Sequence, residues 1–199
     1  MPLNVDKIST GSLSVNGTEI NKNGGLPYKV YTALLTQNGG DNPLSIDTGL
    51  LTIGVTYMIA TSFTGDDFSN VGGPKITFDD EGIGTYFIAT GTTPANWTNE
   101  TEFEYNTGAP VVTVLENTIG DIWFTYNQFG IYGVNSNNLF TDNKTFFLSQ
   151  ITTDNTPSPI SIIISVGNNY TIILKTLLNG SGTEDSYLLN TPIEIRVYN

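Results

Sequence analysis

Carboxylates are the plentiful ionisable groups of this chain: 19 Asp and Glu stand against 7 Lys and Arg, and there is neither His nor Cys. Two loops gather them, Asp66-Asp67 and Asp79-Asp80-Glu81. Oxygen ligands at that density suit a hard cation such as calcium. The EF-hand spacing, with its turn glycine and closing glutamate, is absent, and acids crowded on loops are ordinarily solvated, so no metal site and no cofactor is assigned. Glycoside hydrolysis needs two carboxylates facing each other across a cleft, one of them desolvated enough to stay protonated, and sequence spacing reveals no such pair. Without His or Cys, the usual general base, thiolate nucleophiles, disulfides and most zinc sites drop out together. Nor is there a Gly-x-Ser-x-Gly elbow, a Walker loop or a dinucleotide fingerprint. No catalytic residue is assigned, and a non-enzymatic protein is expected. The aromatic residues Tyr31, Tyr57, Tyr86, Trp97, Trp123, Tyr126 and Tyr132 present ring faces that could stack on sugars. They sit in runs that alternate with apolar neighbours, which for most of them is the pattern of core packing.

These side chains need elements to hold them, and the composition points to strands. Charged residues make up 13% of the 199, well under the usual quarter or so, while Gly, Asn and Thr are abundant, a balance that suits many short strands joined by locally hydrogen-bonded turns. The organising stretch is 109–120, APVVTVLENTIG, where Val112 and Val114 alternate with Val111, Thr113 and Leu115. It reads as a strand with apolar groups on both faces, to be covered twice, and its expected partner is 28–37, YKVYTALLTQ. Between them lies a segment with its own near-repeat, Thr56-Tyr57-Met58-Ile59-Ala60-Thr61 and Thr85-Tyr86-Phe87-Ile88-Ala89-Thr90, expected to be two strands of one small sheet with Trp97 and Phe103 in its core. Both borders of the segment are turn-rich, as insertion points should be.

Later strands are expected at 121–126, 131–134, 146–148, 160–166 and 170–176, the last two forming a hairpin after a Pro157-Ser158-Pro159 break. The closing 192–198 alternates Ile193, Ile195 and Val197 with Glu194, Arg196 and Tyr198, one face dry and one wet. Near the start, Asn16-Gly17 marks a tight hairpin, and 21–25 a flexible joint. No apolar period near 3.6 is sustained, so little helix is expected. The predicted fold is all-β: a β-sandwich or jelly-roll-like domain from 26–43 and 108–199, a small inserted β module at 44–107, and an extended N-terminal arm at 1–25 for docking or oligomerisation.

Several of these passages resemble proteins of tailed bacteriophages, particularly structural proteins of phages infecting Bacteroidetes, including crAss-like phages. YKVYTALLTQ with APVVTVLENTIG looks like a recurring block, here split in two. LTIGVTYMIAT at 51–61, GDDFSNVGG at 65–73 and FIATGTTPANW at 87–97 are similar to a second block, and the closing NTPIEIRVYN to a chain ending. The resemblance covers roughly half the chain and implies a β-rich, oligomeric virion component without a catalytic motif. It leaves head and tail locations open.

A formal net charge of -12 disfavours nucleic acid and anionic membrane surfaces, which demand clustered cations. No apolar run is long enough to span a bilayer, and MPLNVDKIST lacks the cationic and apolar regions of a secretory signal, so assembly in a host cytoplasm is expected. The first functional reading is a head fibre or capsid decoration protein, located in the virion, whose partners are its own copies, as a homotrimer, and other capsid or fibre subunits. The alternative is a tail or baseplate fibre, or a carbohydrate-binding adhesin module contacting host-surface glycans. A polysaccharide-degrading enzyme using paired carboxylates is the third.

Overall fold

The computed structural model describes the backbone of 5–9, 12–15 and 18–20, together with residues 27–141, 143–149, 160–178, 180 and 182–198. The joint expected at 21–25 and the Pro157-Ser158-Pro159 break lie outside the described residues. What is described is all-β, with antiparallel sheets and, as its helical element, one 3-10 turn at Ser69–Val71. At the N-terminus β1 (Val5–Ser9), β2 (Ser12–Val15) and β3 (Thr18–Ile20) form a three-stranded meander. Val15 pairs with Thr18, so the strands flanking Asn16-Gly17 fold back on each other as that dipeptide predicts.

Two sheets make the sandwich. The first has the order β12 (Thr145–Ser149), β16 (Thr191–Tyr198), β4 (Tyr28–Thr36), β9 (Val111–Asn117). The second has the order β10 (Ile122–Gln128), β11 (Ile131–Ser136), β14 (Thr171–Leu178), β13 (Ile160–Val166), with the short β15 (Gly182–Thr183) also on β14. The long-range pairing of 28–37 with 109–120 is present as β4 against β9. The closing strand lies between β4 and β12, with Thr191 opposite Leu35 and Tyr198 opposite Tyr28. Its strict alternation becomes burial of Ile193, Ile195 and Val197 at half-burial of the residues between them. From the facing sheet Phe124, Tyr132, Val134, Ile172 and Leu174 meet them, and Phe140 and Leu188 close the ends of this core.

One expectation is corrected. Strand 109–120 is not covered on two faces: β9 is a sheet edge, Val112 is buried, and Val111, Val114 and Leu115 are 37%, 44% and 62% exposed. The alternation fails because of a bulge, Ala33 pairing with Val114 but Thr32 with Glu116, which leaves Leu115 as the extra residue. Val114 keeps the inward phase of Ala33, yet it borders a cleft rather than packed side chains.

The residues between β4 and β9 build a smaller sheet, in the order β5 (Pro43–Ile46), β8 (Glu102–Asn106), β6 (Thr56–Thr61), β7 (Tyr86–Ile88). The two near-repeat runs pair directly, Tyr57 opposite Phe87. Its own core gathers Leu51, Tyr57, Ile59, Phe68, Val71 and Phe103, with Trp97 packed on it. Entry and exit of the chain lie side by side: Thr107 N–H donates to the Asn42 carbonyl at 3.2 Å, and Asn106 Nδ2 to Asp41 at 2.8 Å. The small sheet also docks on the sandwich. Val112 N–H donates to the Gly54 carbonyl at 2.9 Å, Phe124 N–H to Thr56 Oγ1 at 3.3 Å, and Ile88 packs against the sandwich core.

Candidate functional site

The acidic loops come first, since carboxylates were the available chemistry. Asp66 is fully buried. Its Oδ1 accepts the N–H groups of Thr98 (2.8 Å) and Asn99 (2.9 Å), and its Oδ2 that of Thr101 (3.1 Å), tying the 64–76 loop to the strand entry at 98–101. Three of the neighbouring acids fasten local turns. Asp67 accepts from Ser69 N–H and Oγ and faces Lys75 at 3.6 Å, Asp79 accepts from Thr64 N–H and Oγ1, and Glu81 from Thr77 N–H and Oγ1. Those hydrogen bonds favour the charged forms and hold all three carboxyls below their ordinary range. Among the described residues no group of acids converges as a metal would require. Asp66, Asp67, Asp79 and Glu81 spend their carboxylates on fastening loops.

Of the seven aromatics, Tyr31, Tyr57 and Tyr132 are core residues, 1%, 2% and 0% exposed. Trp97 is half-buried and donates Nε1–H to the Thr101 carbonyl at 2.7 Å. Tyr126 and Tyr132 both donate to Asp185, at 2.9 and 3.2 Å, and Gly130 N–H donates to the same carboxylate at 2.7 Å. Lost hydration together with the adjacent Asp185 charge pushes the Tyr126 phenol up to about 12, and burial raises those of Tyr31 and Tyr132 further.

The remaining two, Tyr86 on β7 and Trp123 on β10, meet across the junction between the small sheet and the sandwich. Their rings are parallel within 5° and 5.4 Å apart between centroids, and they border a cleft of about 610 Å³. Its walls come from both units: Gly72, Pro74 and Thr90 on one side, Tyr31, Val114 and Asp121 on the other. Tyr31 lines it with a buried hydroxyl that has no hydrogen-bond partner. Periodicity could mark Tyr86 and Trp123 as strand residues, but it could not show that two strands of different sheets, with the rings 37 sequence positions apart, would bring them face to face.

An all-β sandwich with a docked smaller sheet and an aromatic-walled cleft at their junction is the class that the fold and this geometry define. Compared with family models, curated proteins and solved structures, the chain matches none at a significant level.

Proposed function

We propose that this chain is a non-enzymatic structural subunit of a tailed-bacteriophage particle, a head fibre or capsid decoration protein that assembles with copies of itself. The segments at 28–37, 51–61, 65–73, 87–97, 109–120 and 190–199 that resemble phage virion proteins motivate the reading. The observation that carries it is the outward face of the sheet β12-β16-β4-β9. Phe146 and Leu148 stand 55% and 52% exposed on one edge strand and Leu115 62% on the other. Thr32, Leu115, Leu148, Pro192 and Glu194 line an open groove across the face. Beside it Phe146, Tyr198 and Tyr28 form a row of rings 5.3 and 5.0 Å apart, with the Arg196 guanidinium over Tyr28. Exposed apolar and aromatic side chains grouped on both edges of one face, around a neutralised charge pair, favour association there over random scatter.

The occupant we assign is a second copy of the same chain. Glu194 and Arg196, at the centre of the face, neutralise each other within one subunit, so copies can meet there despite a net charge of -12. Light scattering on the purified protein is expected to give a multiple of the 21.5 kDa chain mass, three copies being the number expected, and mass spectrometry of purified particles should contain it in capsid-like copy number. A strict monomer that is absent from particles would overturn the proposal.

A further inference from the structure

The cleft at the sheet junction is built for a ligand that self-assembly does not require. Its volume, about 610 Å³, falls within the range of small-molecule sites. The Tyr86 and Trp123 rings stack on each other and remain partly exposed, Tyr86 at 37%, so the stacked pair, fixed by two sheets, presents an outer aromatic face and ring edges to the cleft. Around it lie polar groups that the fold leaves unused. The Tyr31 hydroxyl is buried without a partner. Asp121, Asn137 and Thr90 also line the cleft, and no side-chain hydrogen bond within the described residues engages them.

An apolar platform flanked by unspent donors and acceptors matches a ring that has carbon-bound hydrogens on its face and hydroxyls at its edge. The charge of the lining narrows the class. No Lys or Arg contributes, and Asp121 is its one carboxylate, so phosphates, sialic acids and uronic acids would be repelled rather than paired. We propose that this cleft binds a neutral saccharide, one ring face lying on the Tyr86–Trp123 platform and its hydroxyls taking up the free polar groups around it. The site is independent of the outward sheet face, so a monomeric protein that binds sugar sinks the assembly proposal and leaves this one standing, and the converse also holds.

The test is an array presenting neutral glucosyl, galactosyl, mannosyl and N-acetylhexosaminyl chains beside sialylated and uronic-acid chains, probed with the whole protein. The best neutral hit is then titrated as a free oligosaccharide by isothermal calorimetry, which separates recognition of the sugar itself from multivalent capture on the array. Saturable binding to neutral chains is expected, weakened about tenfold or more by Tyr86→Ala and by Trp123→Ala. Asp121→Ala, on an exposed rim position, serves as the variant that leaves folding intact and is also expected to weaken binding. Binding confined to acidic glycans, no binding to any neutral chain in both formats, or neutral binding unchanged in Tyr86→Ala and Asp121→Ala would overturn the proposal.

Discussion

Tyr57 and Tyr86 hold matching places in two near-identical runs, yet one is 2% exposed and the other 37%. The pairing explains the difference. In an antiparallel ladder residues directly opposite share a face, and here Tyr57 faces Phe87 while Tyr86 faces Met58. The run of residue types therefore announces two strands without saying which tyrosine is structural. Asp66 was concealed in the same way: beside Asp67 it reads as half of a solvated pair, whereas it is the buried acceptor of three backbone N–H groups. Asp66→Ala would leave those donors without a partner, and we expect a loss of about 3 kcal/mol or more, measured as a lower urea midpoint at unchanged slope. The tyrosines supply a pH dependence. Tyr126 titrates near 12 in the folded protein against 10.0 ordinarily, so the unfolded chain releases its proton first. The stability it contributes is fully present below pH 10.0 and is lost as pH rises through about 12. Tyr31 and Tyr132 shift in the same direction. Urea midpoints are expected to hold up to about that lower value and then fall as tyrosinate absorbance grows, with a shallower fall in Tyr126→Phe.

At the scale of elements, strands and turns were largely legible because their patterns are local. Alternation placed the closing strand and its dry face, and Asn-Gly placed the first hairpin. What local pattern could not supply was neighbourhood. Stretch 109–120 looked two-sided because sequence does not tell an edge strand from a central one, and the bulge at Leu115 depends on the register against β4. Docking of the small sheet was likewise invisible, since it depends on long-range contacts, the closest-fitting of them a backbone approach at Gly54. Gly54 has φ +83°, and a Cβ there would stand 2.4 Å from the Val112 carbonyl oxygen. Neither the conformation nor the gap tolerates a side chain. Gly54→Ala is expected to cost about 2 kcal/mol or more and to raise hydrogen exchange at the Val112 amide first. Uniform destabilisation without that local signature would show the contact to be incidental.

For the whole molecule, chain-distant segments build one sandwich: β4 near the start is flanked by β9 and by the closing β16. This much followed from asking which stretches lacked a partner nearby. The cleft did not follow, because it belongs to two units at once. Assembly carries its own expectation. Replacing Phe146 and Leu148 together by Asp should leave the protein folded and monomeric, since both side chains stand more than half exposed. With a net charge of -12 on every copy, added salt should tighten the wild-type assembly by screening repulsion. Sedimentation velocity across an ionic-strength series checks both. An unchanged mass in the double variant would move the interface elsewhere.

Finally, the strands that lead out to the small sheet and back are bound to each other at Asp41, Asn42, Asn106 and Thr107. A detour anchored by such a closed neck is topologically a bead on a stalk. The neck holds the small sheet in place, yet that sheet also rests on β9 through Gly54 and on β10 through Thr56, so any sequence grafted between residues 43 and 106 must supply those two footholds again.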